Sequence, residues 1–387
     1  MQNRTPARTV QAAAIGTAAL ALLATTATAS TEVEIIGHAQ IEGVEYRDTQ
    51  PDPTVDDYVL TDGFSGRLGI EAREDLGFGR SLFARYLFRA NTASGRLEQN
   101  NPGREALVGI EGGFGTITGG HLPSPYRYTG GVSYDAFADT TLEASSNGAM
   151  SGNGGPLLSS DRADSAHHAG VRRALGYRAR GDRVEFRVAT SYDSDDRGLD
   201  DYAEHEDEDR LDDGEQGDFA ASVKTFGADW ELFAATAIQR RATVVRDRDD
   251  DGTNEESLRR LRTHKIGGRY IGGNHTWSLQ AEAFQSEERG TDAAMAEVYK
   301  GDQDGSAWFL GYQFDFEPNV FVLQLGGQAM EYHNGDEAGA LYYAVGFVHR
   351  VSEQGRLFTG YRRSRFEDDA AGDDRQRAFS VGLSYSF

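Results

Sequence analysis

The last ten residues, Ala378 to Phe387, constrain this chain more than any other stretch. They read A-F-S-V-G-L-S-Y-S-F, so Phe379, Val381, Leu383, Tyr385 and Phe387 alternate with Ala378, Ser380, Gly382, Ser384 and Ser386. Successive strand side chains point to opposite faces, which gives this segment one apolar face and one small, polar face. A strand of a soluble sandwich carries the same alternation, so the segment alone leaves both readings open. Its position separates them. The strand stops on an aromatic ring, and a ring with an apolar body is favoured where a strand meets a membrane interface. The expectation is that these residues form the closing, membrane-inserting strand of an outer-membrane β-barrel.

From Ser30 onward, segments of about ten residues alternate in polarity. They are separated in turn by very short and rather long connections. The short ones are Glu74 to Arg80, Gly112 to Gly115, Gly181-Asp182, Gly227-Ala228, Gly272 to Asn274, Glu317 to Asn319 and Ser352 to Gly355. Each carries the Gly, Asp, Asn or Pro that a tight turn needs. The long ones are Asp48 to Asp62, Thr92 to Gly103, Pro123 to Ala166, Ser194 to Gln216, Asp247 to Glu256, Glu287 to Gln303 and Glu367 to Asp374, with a short one on the same side near Asn334 to Glu337. Seven turns and eight loops join about sixteen strands, an even count that leaves both termini on the same, periplasmic side. The fold expected is all-β: a closed antiparallel transmembrane barrel. Charges such as Arg187, Glu282 and Asp315 sit opposite apolar residues within strands. A solvated sandwich face and a barrel lumen both explain them, but a long run of uniform hairpins favours closure, which abolishes strand edges.

The N-terminus carries a leader pattern. Arg4 and Arg8 precede an Ala-rich apolar run, Gln11 to Leu23, and Ala27-Thr28-Ala29 supplies a cleavage site. Residues 1–29 are expected to be removed, leaving one barrel domain over 30–387. The apolar run falls short of the roughly 20 residues a spanning helix needs. Without the two leader arginines the net charge of -23 becomes -25, which argues against nucleic acid as a partner. There is no cysteine, so no disulfide framework or thiolate metal site is expected. The mean hydropathy of -0.57 agrees with a barrel in which only alternate residues face lipid.

The leader, the strand-turn-strand R-L-G-I-E-A-R-E-D-L-G-F-G-R at Arg67 to Arg80, the run A-L-V-G-I-E-G-G-F-G-T-I-T-G-G-H at Ala106 to His121 and the terminal S-Y-S-F together resemble the Gram-negative general diffusion porins, trimeric barrels of sixteen strands. The resemblance implies a homotrimer in the outer membrane, in contact with lipid and lipopolysaccharide. It implies passive passage of small hydrophilic solutes and ions, with no catalysis and no cofactor. It also implies that the third outer loop, Pro123 to Ala166, folds into the barrel and sets acids against arginines on the wall. A transverse field of that kind orders dipolar solutes and makes entry costly for apolar ones. The loop candidates are Asp135, Asp139 and Glu143, whose spacing of four would place them on one side of a helical turn. The wall candidates are Arg67, Arg85, His121, Arg172 and Arg187, with Arg173 an alternative to Arg172 if the register slips by one. His121 stands where the family usually has arginine. With a reference pKa of about 6.5 it predicts a cation preference that weakens as pH falls through its titration. The third loop also lacks the P-E-F-G-G element of the enterobacterial branch.

Other functions remain in view. A solute-specific porin would recognise one anion or sugar class along a basic or aromatic track, and a structural or adhesive barrel would have a plugged lumen. An outer-membrane hydrolase would need a paired nucleophile, yet Ser65 lies in G-F-S-G-R, without G-x-S-x-G spacing. Asp247, Asp249, Asp251 and Gly252 imitate an EF-hand start, but Leu258 takes the place of the twelfth-position Glu. No metal is expected there, nor at His167-His168. The acidic run Asp193 to Asp218 reads as a solvated outer loop that could bind divalent cations between lipopolysaccharides.

Overall fold

The computed structural model describes residues 31–48, 58–63, 65–97, 105–145, 149–150, 170–191, 218–245, 255–290, 303–332, 335–368 and 374–387. They form one antiparallel sheet closed on itself. The strands are β1 (Thr31–Asp48), β2 (Tyr58–Thr61), β3 (Arg67–Gly77), β4 (Arg80–Asn91), β5 (Arg96–Leu97), β6 (Glu105–Gly112), β7 (Gly115–Pro123), β8 (Gly170–Arg180) and β9 (Val184–Ser191), followed by the second half of the wall. That half comprises β10 (Phe219–Phe226), β11 (Trp230–Val245), β12 (Glu255–Gly272), β13 (His275–Gly290), β14 (Gln303–Phe316), β15 (Asn319–Tyr332), β16 (Glu337–Arg350), β17 (Gly355–Asp368) and β18 (Asp374–Ser386). The short β2 continues the stave of β3, since both pair with β1, and β5 continues that of β6, since both pair with β4. The wall therefore has sixteen staves. All seven expected tight turns separate consecutive strands.

Closure runs from His38 opposite Ser386 to Asp48 opposite Gln376. Below it, Gly37 N–H donates to the Phe387 carbonyl at 2.8 Å and Phe387 N–H to the Gly37 carbonyl at 3.1 Å, so the chain end is stitched into the seam. Among the described residues the sheet closes without an edge left to aggregate or to meet lipid unpaired.

The two faces decide between a sandwich and a membrane barrel. On β18, Phe379, Val381, Leu383 and Tyr385 are exposed while Ala378, Ser380 and Ser384 are buried. The same split recurs at Leu68 and Ile70, Val184 and Phe186, Trp277 and Leu279, and Leu323 and Leu325. The outer surface is thus a continuous apolar band, far larger than the few hundred Å² a soluble monomer exposes, and leaving it in water would cost about 25 cal/mol per Å². Lipid removes that cost. Rings concentrate at the turn-side ends: Trp277 with Tyr312 at 4.4 Å, Phe314 with Phe316 at 5.8 Å, Phe321 with Phe347 at 5.3 Å and Tyr385 with Phe387 at 6.1 Å, an interfacial girdle.

One stave is kinked inward. Between His38 opposite Arg67 and Glu42 opposite Thr61, four steps of β1 face six of its neighbour, and Asp62, Gly63, Ser65 and Gly66 bulge into the lumen. Gly63 has φ +59 there, and a Cβ would strike Glu42, Gln40 and the Asp139 carbonyl, so only glycine fits. The Ser65 hydroxyl donates to the Asp62 carbonyl at 2.8 Å, which makes it part of this bulge.

Candidate functional site

The loop after β7 turns into the lumen and crosses to the opposite wall. A succession of turns builds it, with one 3-10 turn, Gly131–Ser133. Its first part docks on β10 to β13. Tyr126, fully buried, donates its hydroxyl to Glu282 at 2.9 Å, Lys265 lies 4.4 Å over its ring, Thr129 bonds Ser222 at 2.8 Å, and Gly131 N–H donates to Gln280 at 2.6 Å. Tyr126 is thus an inward anchor of the loop, not part of a lipid girdle. The second part buries Phe137, Leu142, Ala144, Ala149 and Met150 against Val320, Val322, Tyr342, Ala344 and Val348 of β15 and β16. The Tyr342 hydroxyl donates to the Leu142 carbonyl at 2.5 Å. Wall glycines make the room: a Cβ at Gly326 would collide with Ala149, and one at Gly360 would lie 2.6 Å from Leu142. The tip then reaches β1 opposite the kinked stave, where Gln40 donates to the Asp139 carbonyl at 2.6 Å and Thr141 N–H to Glu42 at 3.0 Å.

This path separates the three acids that the spacing had grouped. Asp139 has a left-handed backbone, φ 65, so the segment is not helical. Its carboxylate faces the gap, 3.5 Å from Arg67. Asp135 turns into the loop, accepting hydrogen bonds from Phe137 N–H at 2.8 Å, Ala144 N–H at 2.7 Å and Gln324 at 2.7 Å. Burial, with the charge of Glu143 added, pushes its carboxyl up to about 7. Glu143 is buried as well, accepting from Asp139 N–H at 2.8 Å and from the Ser145 hydroxyl, and burial raises its pKa. Both hold the loop's shape and do not line the gap.

The wall candidates also divide. Arg67, Arg85 and Arg187 face the lumen. Arg85 pairs with Glu71 at 2.5 Å and Glu105 at 3.3 Å, and Arg187 with Glu185 at 2.6 Å. His121 pairs with Ala106, which pairs with Tyr86, an exposed outward residue. Paired residues share a face, so His121 lies on the outer side, out of phase with the inward Gly120 and Leu122, and does not contribute to the constriction. Arg172 falls on β8 with its side chain outside the described residues; neighbouring Arg173 is exposed, with φ 47. Asp247 to Gly252 and His167-His168 lie outside the described residues, as does the acidic run up to Asp218. Among the described residues no three His, Asp or Glu side chains group as metal ligands.

Apart from Glu282 and Asp315, the carboxylates of the wall were not singled out from sequence. Besides Glu71, Glu105 and Glu185, Glu111 pairs with Arg73, and Glu231 with Arg269 at 2.9 Å and Lys224 at 3.6 Å. A signal was present, since Arg67, Glu71 and Arg73 share one strand face by their even spacing. Such half-exposed pairs add little stability, so their effect is the field in the lumen. Arg356, on β17, is another missed group: its Nε donates to Ser384 at 2.9 Å and its Nη2 lies 3.5 Å from the Ala138 carbonyl.

A closed barrel with an apolar belt, a charged lumen and a loop folded across it is a membrane channel. The chain belongs to the Gram-negative porin family, whose model matches residues 16–369. Among solved structures it is similar to an anion-selective porin from Comamonas acidovorans (16% identity, 92% of this chain and 100% of that one, TM-score 0.65). It is also similar to a loop-deletion mutant of OmpT, an outer membrane protein of Vibrio cholerae (13%, 92% and 99%, TM-score 0.64), and to Salmonella typhi OmpF in complex with daunomycin (16%, 92% and 97%, TM-score 0.58). No curated protein sequence matches the chain. It is an outer-membrane channel for diffusion of small solutes, and family and fold point to a channel, not an enzyme.

Proposed function

We propose that the chain is a passive, non-catalytic, cofactor-free diffusion porin, cleaved before Ser30 and assembled as a homotrimer among lipid and lipopolysaccharide. The observation that carries this reading is the docked loop: it narrows the lumen and leaves Asp139 facing the arginine wall. A trimer form recorded for the Vibrio cholerae protein supports the oligomer. Because positive and negative side chains alternate around the wall, ion selectivity is weak. The cation preference expected from sequence is kept but moved to the outer mouth, where Asp304, Glu331, Glu337 and Glu367 surround a recess of about 500 Å³.

Liposome swelling with neutral sugars of increasing size tests this. The rate should rise linearly with concentration and fall with solute size, whereas saturation for one sugar would favour a solute-specific channel.

A further inference from the structure

Beneath the loop, between Asp139 and the turn that joins β16 to β17, the lumen widens into a cavity of about 460 Å³. That volume suits a small solute. Two guanidiniums, Arg67 and Arg356, converge on it with His38, and the three lie within electrostatic reach of one another and of Asp139. Two hydroxyls complete the wall: Ser384, held by Arg356 at 2.9 Å, and Ser386, held by His38 Nδ1 at 2.9 Å.

The charge balance here differs from that of the ion-paired part of the wall. On the ion-paired wall Arg73, Arg85, Arg178, Arg187 and Arg269 each have a carboxylate beside them, and even Arg350, at the cavity edge, is neutralised by Asp315 through contacts of 3.2 and 2.6 Å. In the cavity Arg67 and Arg356 share Asp139. Asp135 borders the space, but its oxygens accept from Phe137, Ala144 and Gln324. Glu353 sits exposed on the turn, where solvent and salt screen it. Hydroxyls and fork-shaped guanidiniums around an excess of positive charge match an oxyanion, which they bind through short charge-assisted hydrogen bonds.

We propose that this cavity is a binding subsite for small oxyanions, phosphate or carboxylate, on the periplasmic side of the constriction. The inference rests on the channel reading. It makes an acidic chain a channel in which a permeating anion pauses just below the narrowest point.

The test is potassium chloride current through single channels in a planar bilayer, with inorganic phosphate and acetate titrated separately. Wild-type current should fall saturably as the oxyanion is added. In R356Q the half-blocking concentration should rise about tenfold or more, and in R356K, which keeps the charge but loses the fork, by less. Circular dichroism and heat-modifiable mobility establish that each variant is folded. The stronger of the two blockers names the source of the ligand. Equal block of wild type and R356Q, or no block of either by both anions, overturns the subsite while the chloride current leaves the channel reading standing. Folded protein that carries no current contradicts the channel reading itself.

Discussion

Asp139, Asp135 and His121 show how residues of similar promise acquire different work from their surroundings. Asp139 alone of the described loop acids meets the gap, so D139N should shift the reversal potential in a salt gradient toward chloride, and R67Q should shift it toward potassium. An unchanged potential in both would remove them from the permeation path. H121Q should leave the potential unaltered at pH 5 and pH 7, because its side chain lies on the outer face. Asp135 carries the pH dependence instead. Its pKa when docked is about 7, above the ordinary aspartate value of about 3.8. The docked state therefore holds a proton that the undocked state has released between these values, and docking is strongest at low pH and weakens as pH rises toward 7. Closure events in single-channel records should become more frequent from pH 5 to pH 8, and D135N, which cannot ionise at this position, should weaken that trend and leave the part carried by buried Glu143.

At the scale of elements, the third loop is held by an apolar contact that ordinary strand alternation does not announce. On β15, Val320, Phe321, Val322 and Leu323 are apolar on both faces, because the outward pair meets lipid while Val320 and Val322 receive the loop. That local loss of alternation was the available sign of a docking patch. Alternation read along each strand found the faces of Arg67, Arg85 and Arg187, but His121 was placed inward only because the family usually has arginine at that point, and the β7–β8 irregularity beside Gly120 breaks the register there. Spacing could not foresee the left-handed backbone at Asp139. The turns were legible for the opposite reason: Gly, Asp, Asn and Pro impose turn geometry locally. Y342F removes the hydrogen bond to the buried Leu142 carbonyl and should weaken docking by about 1–3 kcal/mol. G326V should push Ala149 off the wall, at a similar order of cost. Noisier currents with altered conductance would be the readout for both, and variant currents as quiet as those of the wild type would count against the docking contact.

For the whole molecule, one pattern of sixteen staves serves two solvents. Alternate residues give lipid an apolar belt and the lumen a charged lining, which explains a low mean hydropathy in a membrane protein. A lysine in place of Val381, at the middle of the outward face of β18, should cost about 2–4 kcal/mol of barrel stability. Urea unfolding in bilayers or micelles would measure it, and a neutral result would mean that this face does not contact lipid. The fold was legible because strand length, turn chemistry and the terminal aromatic all agree; the site was half legible, because its charges depend on cross-strand neighbours and on a loop path that local pattern does not encode.

Single-channel conductance of the folded, purified protein in a potassium chloride gradient at pH 7 bears most directly on the central claim. An open diffusion porin predicts ohmic current steps, closing in thirds if the assembly is a trimer, with a small reversal potential toward potassium. A bilayer that stays silent with correctly folded protein, or a strongly anion-selective current, would contradict it.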